Sequence, residues 1–249
     1  MDDLVSVIIP YYKKRNFIKE TIVSVIKQSY HHLEILIIYD DTNLNDLEFL
    51  KEISKLDNRI KIINNNKRLG AGPSRNKGIE QSTGKYIAFI DADDTWAPNK
   101  LKDQIAFMKK NKYQISHTSY FIIDEKKKII GQRKARDLLS INEILRSCDI
   151  GLSTVIIEKK VIIKTSTKFP RLVTKEDFVF WLTLLKKNHK FYAYDNNLTN
   201  WTDSKNSLSS STIRKLFDGF KVYNYYMDFN IIKSLYYLIC LSLNYLKKK

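Results

Sequence analysis

The sequence of 249 residues is poor in cysteine, glycine, proline and histidine. Its two cysteines, Cys148 and Cys240, lie far apart, which excludes a disulfide framework and indicates a reducing compartment. The 4 histidines and 2 cysteines lack the spacing of metal ligands, which excludes a zinc-binding module. With only 7 glycines and 4 prolines, no segment resembles a flexible linker. A hydrophobic fraction of 43% therefore indicates a globular chain with a sizeable core.

We expect no export signal, and the sequence has no apolar run long enough to span a membrane. Met1-Asp2-Asp3 is acidic and leads directly into a predicted strand, unlike a signal peptide. The apolar run at 231–246 includes Lys233 and is shorter than the about 20 residues that span a membrane. Because three lysines follow it, we expect a helix on a membrane surface; the alternative is a helix packed against the rest of the chain. We expect a cytoplasmic protein, peripheral on the inner face of the cell membrane.

The excess of positive over negative charge is confined to one part of the chain. Residues 1–100 hold 15 Lys and Arg against 14 Asp and Glu, whereas residues 101–249 hold 28 against 13. A one-sided basic field indicates a polyanionic partner, such as a membrane surface, a phosphate-bearing acceptor or nucleic acid. A lysine-rich solvated face is the simpler alternative, and charge alone leaves both open.

The first hundred residues alternate strand and helix signals. Apolar runs predict strands at 5–10, 34–39, 60–63 and 86–90, and helical spacing predicts helices at 17–29, 45–56 and 72–82. This alternation predicts right-handed βαβ units and a mostly parallel sheet with flanking helices. Polar clusters follow three of the strands, and ligands bind at that edge of such sheets. We therefore expect the functional site there.

The pattern changes after residue 113. We predict strands at 114–123, 128–131, 155–157 and 191–194, and helices at 140–146 and 174–187. From residue 213 the chain is helical, aromatic-rich and basic. We therefore expect one α/β domain over residues 1–210 and a helical tail over residues 211–249 that can anchor to a membrane surface.

The segment Asp91-Ala92-Asp93 directly follows an apolar strand. Two carboxylates leaving a strand two residues apart can converge on one hard cation, and Mg²⁺ or Mn²⁺ takes one or two carboxylates together with substrate phosphates. Alternatively the acids form a turn or cap a helix that begins near Pro98. Their place at the end of a strand favours a cation and diphosphate site.

Four segments together resemble the family 2 glycosyltransferases, which have the GT-A fold. They are 5–12 (VSVIIPYY), 34–41 (EILIIYDD), 70–78 (GAGPSRNKG) and 84–94 (GKYIAFIDADD), in matching order and spacing. The resemblance covers residues 4–210 and implies a Rossmann-like sheet. It is specific for the family and does not identify a donor or an acceptor.

The resemblance implies roles for residues that would bind a nucleotide-sugar. Pro10 and Tyr12 begin the loop that surrounds the base, and Asp41 accepts the imide N–H of the base. Arg75 lies near the base or the diphosphate. UDP is the expected nucleotide.

The resemblance also implies a metal site and a catalytic base. The Asp91-Ala92-Asp93 segment binds the diphosphate, with Asp91 and Asp93 holding Mn²⁺ or Mg²⁺. Asp177, in 176–181 (EDFVFW), matches the acid that serves as general base. Alternatively Thr174 and Asp177 form a capping box. A helix N-terminus lowers the pKa of a carboxyl, whereas burial raises it, so the sequence leaves the net shift of Asp177 open.

The sequence departs from the family pattern in three places. Thr42 and Asn43 replace the usual Gly-Ser after the two acids, and Lys13 replaces the usual Asn of the first loop. In the late segment 204–209, where relatives carry a His, Lys205 and Ser207 are candidate diphosphate ligands. Trp96 and Trp181 are candidates either for stacking on a sugar or for the core.

These observations predict an inverting glycosyltransferase. We expect it to move a sugar from a nucleotide-sugar to a saccharide or polyprenyl-diphosphate-linked acceptor, in the synthesis of a bacterial surface polysaccharide such as O-antigen, capsule or lipooligosaccharide. One alternative is a sugar nucleotidyltransferase, but the first loop lacks the glycines that such an enzyme needs. A second is a non-catalytic protein that binds nucleic acid or a membrane, although we find no nucleic-acid-binding motif and expect no nucleic-acid partner.

Overall fold

The computed structural model describes residues 2–204 and 212–247. The strands are β1 (Val5–Tyr11), β2 (Leu33–Tyr39), β3 (Ile60–Asn64), β4 (Tyr86–Phe89), β5 (Thr95–Trp96), β6 (Ile115–Ile123), β7 (Ile129–Arg133), β8 (Ile156–Glu158) and β9 (Tyr192–Thr202). The helices are α1 (Arg15–Ile26), α2 (Leu44–Ser54), α3 (Ala71–Gln81), α4 (Lys100–Asn111), α5 (Lys159–Thr165), α6 (Glu176–Lys186), α7 (Thr212–Lys221) and α8 (Ile231–Lys247). A π-helical segment, Val222–Tyr226, joins the last two.

All of these strands belong to one mixed sheet in the order β3-β2-β1-β4-β8-β6-β9-β5, with β7 beside β6. Strands β1 to β4 pair in parallel through the crossover helices α1, α2 and α3, as the alternating pattern predicted. The short strand β8 is antiparallel to both β4 and β6, and β9 is parallel to β6. The mostly parallel α/β sheet predicted for the first half is confirmed.

The core occupies both faces of the sheet because successive side chains of a strand point in opposite directions. In β1, Ile8 packs into the cluster that contains α3 and α6, whereas Val7 and Ile9 pack into the cluster that contains α1, α2 and α4. All three side chains are fully buried. Burial on both faces explains why β1 and β2 are continuous apolar runs in the sequence.

The carboxyl ends of the parallel strands meet at one edge of the sheet. The N–H of Asp40 donates to the carbonyl of Tyr11 at 2.9 Å, and the N–H of Asn65 donates to the carbonyl of Tyr39 at 2.9 Å. These bonds bring the residues that follow β1, β2 and β3 side by side. The residues that follow β4, beginning at Asp91, lie next to β1 on its other side.

Several elements differ from the sequence prediction. The predicted helix at 140–146 is only a 3₁₀ turn, Ile141–Glu143, in which Ser140 and Glu143 form a capping box. Strand β9 runs to Thr202, well beyond the predicted 191–194, because its polar residues pair with β6 and β5 along their length. Helix α5 was not predicted, whereas α4 begins at Lys100, close to the helix start near Pro98 that the capping alternative named.

The tail has two different faces. On its inner face Val222, Tyr223, Met227 and Leu241 are buried in the core cluster that contains α6. Its outer face exposes a set of large apolar side chains, which we call the tail patch: Ile213, Leu216, Phe217, Tyr225, Ile231, Ile232, Leu235, Tyr236, Ile239, Leu243 and Leu246. The tail thus packs against the α/β domain and still presents an apolar surface.

Helix α8 is too short and too mixed in character to cross a bilayer. Within residues 2–204 and 212–247, no helix combines the length and the hydropathy that a membrane span requires.

Candidate active site

A cavity of about 510 Å³ opens at the carboxyl edge of the sheet. Its wall is formed by the end of β1, the residues that follow β2 and β4, the amino ends of α3 and α6, the end of β9 and helix α7. The predicted site residues that line it are Pro10, Tyr12, Arg75, Asp91, Ala92, Asp93 and Asp177. The fold thus brings together residues up to 167 positions apart, and Asp41 is the predicted site residue that it leaves out of the lining.

The Asp-x-Asp segment begins where the chain leaves β4. Asp91 donates its backbone N–H to Ser153 Oγ at 3.0 Å and accepts the N–H of Asp94 at 3.1 Å, which forms a turn. The side chain of Asp91 lies 2.7 Å from Arg75 Nη2, and that of Asp93 lies 2.5 Å from Lys14 Nζ. Both carboxylates of the motif therefore face protein cations across the cavity wall.

The third acid of the run, Asp94, has a structural role. It is fully enclosed, and it accepts hydrogen bonds from Ser153 Oγ at 2.5 Å and from the Thr202 N–H at 2.9 Å. Burial, together with the charges of Asp93 and Asp91, raises the pKa of Asp94 well above its usual range. Asp94 thus ties the motif to the end of β9, and no local pattern predicts that Ser153 supports it.

The turn before α3 is held by hydrogen bonds from backbone N–H groups to the carboxylate of Asp40. Asp40 accepts the N–H groups of Leu69 at 2.7 Å and Gly70 at 2.7 Å, and Gly70 adopts a φ of +97° that favours glycine. A Cβ on Gly72 would lie 2.4 Å from the carbonyl oxygen of Pro170, so only glycine permits this approach. This packing sets α3 against the loop before α6.

Arg75 extends from the first turns of α3 into the cavity wall and bridges two acids. Its guanidinium lies 2.6 Å from Glu176 Oε1 and 2.7 Å from Asp91 Oδ1, and the side chain is buried. Burial alone would lower the pKa of Arg75, but the charges of Asp91 and Glu176 outweigh it, so this pKa lies above its usual value. Arg75 Nε has no partner among the described residues. One cation thus joins the Asp-x-Asp motif to the acid pair of α6.

The acid pair Glu176-Asp177 forms the first turn of α6. The capping-box interpretation is wrong: Lys175 precedes the helix with a φ of +67°, and Thr174 instead donates its N–H and hydroxyl to Asp218 Oδ2. Asp177 Oδ1 accepts the N–H of Phe178 at 2.7 Å. Thr174, in the loop before α6, is therefore held by a tail residue 44 positions away rather than forming a local cap.

Burial decides the pKa values of the acid pair. It raises the pKa of Glu176 to about 7, although Arg75 opposes the rise and the charge of Asp177 adds to it. Burial also raises the pKa of Asp177, against the lowering effect of the Arg75 and Lys175 charges. Desolvation thus outweighs the helix N-terminus at both acids. Among the described residues, Asp177 forms no salt bridge, unlike Glu176, Asp91 and Asp93.

The far end of the cavity is aromatic and basic. Tyr12 lies under the guanidinium of Arg68, 4.0 Å from the ring centroid, and both residues line the cavity. Asp41 lies behind this wall, where its carboxylate accepts the N–H groups of Lys13 at 3.2 Å and Thr42 at 2.7 Å. Asn43, at the position of the missing Ser, caps α2 by accepting the N–H of Asn45. Arg68 carried no sequence signal because its partner is a residue of another loop.

The remaining candidates fall into the core or outside the description. Trp96 and Trp181 are buried, and Trp96 Nε1 donates to the carbonyl of Ser153 at 2.7 Å, so both tryptophans belong to the core. Trp201, which the sequence did not single out, lines the cavity instead. Lys205 and Ser207 lie outside the described residues.

The carboxylates fit a divalent cation that shares its coordination with a diphosphate. Mg²⁺ and Mn²⁺ need only one or two protein carboxylates when substrate phosphates supply further oxygens. Within the described part of the chain, no cluster of three or more acids, histidines or cysteines forms a self-sufficient metal site. Asp91 and Asp93 would therefore supply part of the coordination of the cation and the substrate phosphates the rest, and Lys14 Nζ already pairs with Asp93 Oδ2.

A mostly parallel sheet with an Asp-x-Asp turn at its carboxyl edge and a buried acid pair opposite defines a GT-A type transferase. The model of the family "Glycosyl transferase family 2" matches residues 6–167, and the chain belongs to this family. It is therefore a glycosyltransferase, and the match sets aside the sugar nucleotidyltransferase alternative.

Known proteins resemble the chain along most of its length. It is 34% identical over 249 residues to the UDP-Glc:alpha-D-GlcNAc-diphosphoundecaprenol beta-1,3-glucosyltransferase WfgD of Escherichia coli, covering 96% of this chain and 92% of that protein. It is 30% identical over 247 residues to the putative teichuronic acid biosynthesis glycosyltransferase TuaG of Bacillus subtilis, covering 99% and 97%.

A solved structure confirms the fold. The crystal structure of Staphylococcus aureus TarS 1–349 in complex with UDP-GlcNAc superposes with a TM-score of 0.74 at 19% identity, covering 94% of this chain and 70% of that one. This likeness confirms the predicted GT-A fold.

Proposed function

We propose that the protein transfers a sugar, with inversion, from a UDP-sugar to a saccharide or polyprenyl-diphosphate-linked acceptor in bacterial surface polysaccharide synthesis. The observation that carries the proposal is the cavity in which Arg75, Asp91, Asp93 and Asp177 face one another. The relatives add support: WfgD is named for a UDP-Glc donor and a diphosphoundecaprenol acceptor, and TuaG for teichuronic acid.

In this proposal the donor lies along the cavity. Its base stacks in the aromatic end at Tyr12, and its diphosphate lies against the Asp-x-Asp motif. Asp91 and Asp93 would hold Mn²⁺ or Mg²⁺, and the cation would supply positive charge where negative charge develops on the departing diphosphate. Asp41 lies behind the lining, so contact between Asp41 and the base requires the 41–43 loop to move. The sugar then lies between the motif and α6.

Asp177 is the proposed general base. Its carboxylate accepts the proton of an acceptor hydroxyl while the hydroxyl oxygen forms a bond to the anomeric carbon. The bond from that carbon to the diphosphate breaks on the opposite side, and the nucleoside diphosphate leaves with the electron pair. The lack of a salt bridge to Asp177 among the described residues supports this role, because its lone pairs are not engaged by a cation. Such a base contributes roughly 10²–10⁴-fold to a rate.

Arg75 keeps the acid pair in order. Its guanidinium pairs with Glu176 and turns the negative charge of Glu176 away from the part of the cavity where the acceptor would bind. The raised pKa of Asp177 makes its carboxylate a stronger base than an ordinary aspartate. Burial beside the aromatic core of α6 supplies the desolvation that this shift requires.

The tail patch is the proposed contact with the inner face of the membrane. Its apolar side chains are flanked by exposed Lys221 and Lys233, whose ammonium groups lie over the rings of Phe217 and Phe229. Apolar surface bordered by lysines suits the boundary between acyl chains and anionic headgroups. A cytoplasmic enzyme docked there would meet a lipid-linked acceptor, and residues 1–210 would form the catalytic domain held by the 211–249 tail.

Nucleotide binding tests the donor assignment. UDP, GDP, CMP and dTDP are titrated by calorimetry into the purified protein with and without Mn²⁺, and the titration is repeated with Asp93→Ala and with a control, Glu48→Ala on the exposed face of α2. We expect UDP to bind most tightly, with a Mn²⁺-dependent part that Asp93→Ala loses and Glu48→Ala keeps. Failure of all four nucleotides to bind would overturn the proposal.

A further inference from the structure

The two carboxylates of the Asp-x-Asp motif have cations of different kinds. Arg75 is wedged between Asp91 and Glu176 with 4% of its side chain exposed. Lys14 faces the cavity with 19% of its side chain exposed, and its Nζ lies 2.5 Å from Asp93 Oδ2 and 3.2 Å from Ser204 Oγ. The guanidinium is fixed by two acids, whereas the ammonium contacts one acid and one hydroxyl among the residues that the structure describes.

The backbone at Lys14 is fixed although its side chain can reorient. Lys13 adopts a φ of +50°, and its N–H donates to Asp41 Oδ2. The carbonyl of Lys14 accepts the N–H groups of Phe17 and Ile18 at 3.0 Å each, which starts α1. From this anchored point a flexible four-carbon stem carries a point charge with three donors. The ammonium can therefore change partners within the cavity without any movement of the loop.

Charge balance gives the ammonium two positions. Asp93 has 14% of its side chain exposed and lies two residues from Asp91, so its carboxylate needs a nearby cation. A divalent cation held by Asp93 would bring a second positive charge to the carboxylate whose Oδ2 Lys14 already contacts, and the two cations would repel each other. An ammonium displaced from that oxygen stays beside the motif, where the incoming diphosphate presents strong acceptors for a charge-assisted hydrogen bond.

We propose that Lys14 is a resident cation of the donor site, which neutralises Asp93 when the site is empty and transfers to the donor diphosphate when a divalent cation takes Asp93. This inference rests on the proposed function, since it requires a nucleoside diphosphate in the cavity. It makes Lys14 a diphosphate-binding residue that also competes with the metal before the nucleotide arrives.

Two binding measurements on Lys14→Gln, compared with two control variants, test this inference. Lys14→Gln removes the charge, and Lys14→Arg keeps it. As the control, Lys19→Gln removes a charge from the exposed side of the adjoining helix α1. Mn²⁺ alone is titrated while free Mn²⁺ is followed by electron paramagnetic resonance. UDP is titrated by calorimetry at saturating Mn²⁺. Thermal unfolding confirms that each variant is folded.

The expected result is a pair of opposite changes. Lys14→Gln binds Mn²⁺ several-fold more tightly, because a competing cation is gone, and binds UDP about 10-fold more weakly, because a charge-assisted bond worth about one decade is lost. Lys14→Arg and Lys19→Gln retain UDP binding close to that of the unmodified protein. A Lys14→Gln protein that weakens both ligands, or changes neither, overturns the inference. Absence of UDP binding in the unmodified protein overturns the proposed function itself.

Discussion

Replacing Arg75 by methionine tests whether one buried guanidinium holds two acids in place. The variant keeps most of the volume but leaves Glu176 and Asp91 without the cation that lies 2.6 and 2.7 Å from them. Loss of two charge-assisted hydrogen bonds, partly offset by the apolar replacement, lowers the free energy of unfolding by roughly 2–4 kcal/mol. Arg75→Lys keeps the charge without the planar fork, and it serves as the matched control.

The loss of stability caused by Arg75→Met depends on pH because Glu176 titrates. Its folded pKa of about 7 lies above its ordinary value of 4.5, so the unfolded chain releases the proton first, and stability falls as pH rises from 4.5 to about 7. Arg75 lowers this pKa, so its removal extends the fall to higher pH. At 1.36 kcal/mol per pKa unit, the loss of stability caused by Arg75→Met grows by about 1 kcal/mol between about pH 6 and about pH 8.

Urea unfolding at the two pH values measures this difference. The unmodified protein, Arg75→Met and Arg75→Lys are compared in the same buffers, and the midpoints are converted to free energies with each protein's own slope. A loss of stability that is equal at both pH values, or smaller at the higher one, would show that Glu176 and Arg75 are not coupled as described.

Three further predictions concern the base, a buried lysine and the tail. Asp177→Asn lowers the transfer rate by roughly 10²–10⁴-fold with little change in UDP binding, measured with a radiolabelled donor. Because full burial lowers the pKa of Lys100 to about 7, the unmodified chain gains stability between pH 7 and 10.5, where the folded state loses this proton first, and Lys100→Met abolishes that gain in urea unfolding. Ile232→Glu combined with Ile239→Glu, at two exposed positions of the tail patch, reduces co-sedimentation with anionic vesicles.

Matched variants control each of these measurements. Glu48→Gln, an exposed charge change far from the cavity, is the control for Asp177→Asn. Equal transfer rates of the two variants would show that Asp177 is not the general base. Lys102→Met, at an exposed position of α4, accompanies Lys100→Met, and an equal change in both would show that burial is not the cause. Unchanged vesicle binding of the double glutamate variant would contradict the membrane contact.

Hydrophobic patterns in the sequence predicted the first, parallel half of the sheet. The runs that became β1 and β2 are apolar throughout because both faces of these strands are buried, and that signal lies in the sequence itself. The acids that follow the parallel strands share one edge for the same topological reason. Most predicted site residues consequently line one cavity, since their placement needs only the strand order.

Long-range contacts decided what the sequence could not predict. Asp177 lies at the right spacing to form a capping box with Thr174. Instead, Asp218 in a distant segment accepts hydrogen bonds from both the N–H and the hydroxyl of Thr174. Strand β8 has only 3 residues, and its place between β4 and β6 follows from tertiary pairing rather than from periodicity. The ion pair of Lys14 with Asp93 joins two loops that no local pattern connects.

The attachment of the tail has a consequence for how the chain can vary. Tyr223 packs edge-on against Phe178 of the acid-bearing helix with centroids 6.2 Å apart, and Asp218 holds Thr174 just before it. A chain cut at residue 210 would expose that aromatic face and lose the partner of Thr174. The tail and α6, the helix that carries the proposed base, therefore form one cooperative unit. Exchange of tails between relatives would succeed only when α6 is exchanged with them.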